Sequence, residues 1–318
     1  MNNFKNFKQS QLKSCRDAYG QALVKLANNN KNIVALTANL AESTRLLDFS
    51  KKYPERFFEV GVAEQNMAGI AAGLALEGKI PFCSSFAVFS PGRNWEQIKI
   101  SVCYNNANVK IVSTHAGLSV GQDGATHQGM EDIALMRVLP NMTVISPCDY
   151  IETEKAIIAA VKTKGPVYIR LPRGKSPVFT TNKTGFKIGK AEIFKEGKDV
   201  TIIGCGPLVY EALKAASELK KNKIEAEVIN CHTIKLIDTK TIIESAKKTG
   251  KVVTIEDHQI HGGLGGAVAE ALSQNYPVPV EIIGMPDSFG ESGEPQELLD
   301  KYKINSQEII NRVNKLLK

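Results

Sequence analysis

The 318-residue chain contains no run of eighteen or more apolar residues, so no segment is fit to cross a membrane as a helix. Its start, MNNFKNFKQS, lacks the apolar centre of a secretion signal, and a cytoplasmic location is expected. The six cysteines (Cys15, Cys83, Cys103, Cys148, Cys205, Cys231) include no Cys-x-x-Cys pair. Scattered in this way, they suit reduced core thiols better than thiolate metal ligands. A net charge of +7 comes without a long basic run or basic–aromatic interleaving. That distribution disfavours nucleic acid and suits small anions such as phosphorylated metabolites.

What is present reads as α/β. Apolar residues make up 43% of the chain, enough for two cores. Short β-branched runs (NIVALTA, KIPFCSSF, NVKIVSTH, MTVISP, PVYIRLP) alternate with helix candidates at Arg16–Ala27, Glu64–Leu76, Asn94–Tyr104, Glu131–Leu139 and Tyr150–Lys162. Strands separated by helices of this length imply a parallel sheet covered on both faces. From Ser176 to Lys198 the composition turns to Lys, Thr and Gly, which reads as a linker with a short hairpin. The alternation then restarts at DVTIIGCG. The expected organisation is two parallel-sheet α/β domains, residues 1–178 and 199–318, joined by a linker over 179–198.

Two glycine-rich stretches tempt a ligand reading. GCGPLVYEA follows a strand, but Val209 stands where a dinucleotide loop needs its third glycine, so a tight strand–helix turn is expected. In HGGLGGAVAEAL the glycines are read as permitting close backbone approach, with His258 and His261 as packing or interface histidines. Two other stretches carry more chemistry. In FFEVGVAEQNMAGIAAGLALEG, Glu64 opens an apolar segment, either as a helix cap facing water or as a buried carboxylate kept for a reaction. In STHAGLSVGQDGATHQGMEDIA, His115, Asp123 and His127 share a loop with Gly117, Gly121, Gly124 and Gly129. Such a loop at the carboxyl end of a strand can contact polyhydroxy substrates and move protons near pH 7, or its Asp and His can cap the next helix.

Together, VGVAEQNMAGIAAGLA, SSFAVFSPGR, THAGLSVGQDGATHQGMEDIALMRVLPNMTVISPCD, VYIRLPRGKSP and DSFGESGEPQELLDKY resemble the C-terminal half of transketolase, from about Ser14 to the last helix. The family's Gly-Asp-Gly motif, which holds the diphosphate of thiamin diphosphate, is missing. The resemblance therefore implies the C-terminal subunit of a split transketolase rather than a random fragment. Its N-terminal partner would carry the diphosphate and Mg²⁺ ligands, in an assembly of two copies of each.

By that resemblance, Glu64 bonds N1′ of the cofactor's aminopyrimidine, so that the 4′-amino group can take the thiazolium C2 proton. Help of this acid–base kind contributes ~10²–10⁴-fold. Phe86 and Phe89 match the aromatic wall around the pyrimidine. Gly92 replaces a further aromatic there, with Trp95 or a partner residue expected to close the pocket. Arg16, Ser43, His115, Asp123, His127 and Arg173 match substrate contacts, with His127 also catalytic and Arg170 a rival to Arg173. Asn39 stands where many relatives carry an acid that touches the cofactor. Deoxyxylulose-phosphate synthase, the β subunit of a 2-oxo-acid dehydrogenase and a specialised transketolase acting on an unusual sugar phosphate are the rival enzymes; a non-catalytic assembly subunit is the rival of another class.

Overall fold

A computed structural model describes residues 11–318. The strands are β1 (Leu12–Ser14), β2 (Ile33–Thr37), β3 (Phe57–Glu59), β4 (Ile80–Phe86), β5 (Lys110–Thr114), β6 (Thr143–Ile145), β7 (Val167–Arg170), β8 (Lys175–Pro177), β9 (Glu192–Lys195), β10 (Val200–Gly204), β11 (Ala226–Asn230), β12 (Thr233–Lys235), β13 (Val252–Gln259) and β14 (Val280–Met285). The helices are α1 (Cys15–Asn29), α2 (Leu47–Lys52), α3 (Glu64–Leu76), α4 (Trp95–Gln97), α5 (Asp132–Arg137), α6 (Tyr150–Lys162), α7 (Val209–Lys221), α8 (Thr239–Thr249), α9 (Leu264–Asn275), α10 (Pro295–Lys301) and α11 (Ser306–Leu317).

Two parallel-rich sheets organise the chain. The first has the order β12-β6-β7-β5-β4-β2-β3 and is parallel except for β12. The second has the order β14-β13-β10-β11-β9 and is parallel except for β9. Every residue of β2, β5, β10 and β11 is buried, as expected of strands covered by helices on both faces. All six cysteines are free and buried. No described helix is long and apolar enough to cross a membrane.

The stretch expected to hold a local hairpin has no such hairpin. β8 pairs instead with β1, 161 residues distant between the partners Ser14 and Lys175, and β9 joins the second sheet as its antiparallel edge. Nor does the chain keep its halves apart. β12, from beyond the linker, completes the first sheet against β6. One apolar cluster runs from Leu36, Met67 and Val144 through to Ile203, Ile229 and Leu264. The segment expected as a single helix over Asn94–Tyr104 is a short α-turn that passes into a wider-wound π-helix over Ile98–Tyr104.

Candidate active site

The ends of β2, β4, β5 and β7, with the start of α3, bring most of the sequence-selected residues to one edge of the first sheet. This is the carboxyl edge, where parallel sheets leave room for ligands. His115 follows β5 directly and holds a left-handed backbone, φ +56°. Asn39, two residues past β2, does the same at φ +59°. For residues other than glycine such conformations cost energy and cluster at functional edges.

Glu64 is the first residue of α3, and its side chain is only 3% exposed. It does not cap the helix; its Oε1 accepts from Arg93 Nη1 at 3.0 Å. Arg93 is 48% exposed, and its guanidinium lies 4.0 Å from the centroid of Phe89. Nothing in the sequence reading singled out Arg93. The only hint was a Pro-Gly turn between Phe89 and the next cation, and the turn's direction could not be read from it. Gly92 packs so closely that a Cβ there would meet the Val88 carbonyl at 2.1 Å. No side chain fits at that position, and Trp95 turns toward the core. Its indole N–H donates to the Leu135 carbonyl at 2.7 Å, holding the ring on the core. Arg93 covers Phe89 instead.

Phe86 and Phe89 lie nearly parallel, 5.7 Å apart. His115 stacks on Phe86 at 3.7 Å, and His127 stands edge-on to Phe89 at 5.6 Å. Each imidazole Nδ1 is 2.9 Å from the hydroxyl of the threonine before it, Thr114 or Thr126. Burial, then repulsion from Arg16, Arg173, His127 and Arg45, lowers the His115 pKa to about 3. It is therefore a neutral ring at pH 7, able to exchange hydrogen bonds but not to act as a cation.

The arginines form the other half of the site. Arg16 donates from Nη1 to the Ser43 carbonyl at 2.8 Å, while its buried Nε has no hydrogen-bond partner. Burial, then the charge of Arg45, lowers the Arg16 pKa to about 10, with a further contribution from Arg173. Ser43 thus enters through its backbone carbonyl. Arg45 is an addition to the sequence-selected set; its Nε pairs with Asp17 Oδ1 at 2.7 Å. Arg173 Nε lies 3.6 Å from Asp123 Oδ2, and both side chains are about a third exposed. Arg170, the rival, is buried against Asp132 at 2.9 Å and donates to the carbonyls of Gly129 and Asp257. It is committed to the interior, so Arg173 is the available fork. Mutually repelling arginines beside a neutral histidine suit a small molecule with an anionic end.

The second half of the chain holds the loop that carries Asp123 and His127. The Asp257 carboxylate accepts from the N–H of Leu118 at 2.8 Å and from the Ser119 hydroxyl at 2.5 Å. Gln128 donates to the Glu291 carbonyl at 3.0 Å, and Gln122 to Glu294 at 2.6 Å. Gly124 lies so close to Ser292 that a Cβ would meet its hydroxyl at 2.5 Å. Gly121 and Gly124 therefore serve the loop's contact with the segment 290–295, while Gly117 makes room for Asp257 and Gly129 for the backbone at Ala87 and Val88.

Residues 12–178 match the transketolase pyrimidine-binding domain and residues 189–309 the transketolase C-terminal domain. The chain belongs to the transketolase family. Among its relatives, a putative transketolase C-terminal section of Methanocaldococcus jannaschii is 48% identical over 96% of this chain and 97% of its own length. A 6-deoxy-6-sulfo-D-fructose transketolase subunit of a Clostridium species is 42% identical, covering 95% of this chain and 94% of itself. A solved structure described as a split gene transketolase, inactive β4 tetramer, superposes with a TM-score of 0.89 at 49% identity, over 96% of this chain and 98% of that one. Both sheets of this transketolase-family chain thus have a solved counterpart at full length.

Proposed function

We propose that the chain is the C-terminal subunit of a two-chain transketolase. The reaction is transfer of a two-carbon ketol unit from a ketose to an aldose, with thiamin diphosphate held between this chain and an N-terminal partner. The relatives named as a C-terminal section and as a transketolase subunit support the two-chain reading. The related structure described as an inactive β4 tetramer agrees with a chain that needs a partner to work. The exposed face of α3, with Gly69 and Gly73 open and Leu76 and the nearby Tyr104 uncovered, offers a surface for contacts between copies. Diphosphate and Mg²⁺ ligands belong to the partner, and the assembly is cytoplasmic with two copies of each subunit.

One observation carries the reading. A carboxylate sealed from water at the start of α3 faces a planar N–H donor stacked on Phe89. That donor is a guanidinium, and an aminopyrimidine ring protonated at N1′ presents the same planar N–H donor, so the residues fit the cofactor. When bound, thiamin diphosphate supplies the nucleophilic carbon and the electron sink that cleavage of a carbon–carbon bond requires. Glu64, at the start of α3, would hold the ring at N1′ through its carboxyl group. Phe89 offers its face to the ring, and Phe86 backs His115. His127 and neutral His115 hydrogen-bond sugar hydroxyls near the reacting carbonyl, with His127 positioned for proton transfer. Asp123 accepts from a further hydroxyl. Arg16 and Arg173 grip the terminal anion, with Ser43 and Arg45 setting the Arg16 side. The terminal anion is a phosphate in the principal reading; the relative named for a sulfosugar makes a sulfonate the alternative.

Co-purification with a protein carrying the Gly-Asp-Gly motif tests the proposal. Xylulose phosphate plus ribose phosphate should turn over only when both chains are present. Pyruvate plus glyceraldehyde phosphate, the deoxyxylulose-phosphate synthase pair, should not. Ketol transfer by this chain alone, or turnover of the pyruvate pair only, would refute it.

A further inference from the structure

The Glu64–Arg93 pair raises a conflict with the proposed function. Arg93 stacks on Phe89 and donates to Glu64, the two residues the proposed site assigns to the aminopyrimidine. Two planar groups cannot stack on one aromatic face at the same time. We propose that Arg93 is a removable stand-in for the pyrimidine ring, partnering Glu64 while the cofactor is absent and swinging into solvent when the ring enters. The inference rests on the thiamin reading above and specifies how that site is kept before loading.

Three features support a side chain built to leave. Glu64 is sealed from water, and a buried carboxylate left without a partner is costly, so an empty site needs a substitute cation. Arg93 itself is about half exposed, so its guanidinium can return to water without crossing the core. The turn beneath it is fixed by other atoms. The Asn94 amide donates to the Glu64 carbonyl at 3.1 Å and to the Ser90 hydroxyl at 3.2 Å, and the Arg93 N–H donates to the Phe89 carbonyl at 2.7 Å. Movement of the Arg93 side chain leaves these bonds in place. The close packing at Gly92 holds the turn in the shape that folds Arg93 back over Phe89.

The chemistry of the competing ligand follows. It must be flat, offer an N–H to a carboxylate, and stack on a phenyl ring, which describes an aminopyrimidine and excludes sugars and phosphates. A stand-in that is in place about nine-tenths of the time lowers the apparent affinity about tenfold. The test is calorimetric titration of thiamin diphosphate into the chain assembled with its N-terminal partner, comparing wild type, Arg93→Ala and Arg93→Lys. Arg93→Ala should bind about 5- to 20-fold more tightly, chiefly through faster association. Arg93→Lys, whose ammonium cannot stack as a plane, should show a smaller gain in the same direction. A purely structural role for Arg93 would produce losses, not gains. Equal or weaker binding by both variants, with wild type still binding, overturns the stand-in and leaves the thiamin reading intact. Absence of binding by wild type and both variants overturns the two together.

Discussion

Two helix starts in this molecule each place a carboxylate beside glycine-bearing sequence, and they use it in opposite ways. At α9, Glu256 accepts from the N–H groups of Leu264 at 2.6 Å and Gly265 at 2.7 Å. Gly263 lies so close that a Cβ would fall 2.0 Å from Glu256 Oε2. The second sheet thereby fills its own helix start with an internal anion, and the neighbouring His258 is buried with its Nδ1 2.7 Å from the Gln259 carbonyl. At α3, Glu64 makes no cap and faces a half-exposed arginine. Beyond it, Arg16 is repelled by Arg45 and Arg173, while those two pair with the part-exposed Asp17 and Asp123. The two helix starts thus differ in whether the carboxylate is taken up by the backbone N–H groups of the helix itself. The candidate site lies at the helix start whose carboxylate the helix backbone does not take up.

Removing the carboxylate at each helix start breaks the comparison most strongly. Glu64→Gln should assemble normally by size and lose ~10²–10⁴-fold in turnover, because a proton-sharing group is gone. Glu256→Ala should instead cost about 2–4 kcal/mol of stability, read by urea midpoint, since two charge-assisted bonds to the α9 start disappear. A Glu256→Ala variant of full stability would show that the second sheet is not filled from within.

The arginines come next. Arg173→Ala should raise KM for a phosphorylated ketose about 10- to 100-fold with little change for its unphosphorylated analogue, as expected for loss of one charge-assisted fork. Equal effects on the two substrates would move Arg173 away from the anion.

The junction between the sheets gives a pH-dependent test. Glu152 on α6 accepts from the Cys148 N–H at 2.6 Å and from the Asn230 amide at 2.7 Å, and burial raises its pKa to about 7. A folded pKa above the unfolded value favours the protonated fold. This contribution is full below about pH 4.5 and is lost as pH rises through about 7, by up to about 3 kcal/mol. Glu152→Gln should flatten stability across that window, measured as unfolding midpoint against pH. The smallest effect is expected at Ser43. Its carbonyl, not its hydroxyl, meets Arg16, so Ser43→Ala should stay within about twofold of wild type in KM.

Much of this was legible in the sequence, for local reasons. Apolar runs and caps set the limits of α3 and α6 where periodicity placed them, because their ends coincide with turn residues or with a side-chain cap such as Asp149. The loop from His115 to Gly129 announced itself by composition. What could not be read is non-local. β12 crosses to the first sheet, and β8 finds β1, through pairings that no local pattern encodes. Asp257 reaches Leu118 across 139 positions. Arg93 and Arg45 were missed because a cation near a turn gives no sign of the direction in which the turn sends it. The π-winding over Ile98–Tyr104 keeps a helical apolar pattern, so sequence periodicity reads it as ordinary helix.

Deuterium exchange at the thiazolium C2 position, followed in the reconstituted two-chain assembly, tests the central claim about Glu64 most directly. Exchange by the wild-type assembly should exceed that of Glu64→Gln by at least ~10²-fold, with cofactor occupancy matched between the two. Equal exchange rates at equal occupancy would contradict it and leave the Glu64 carboxylate a structural partner of Arg93 alone.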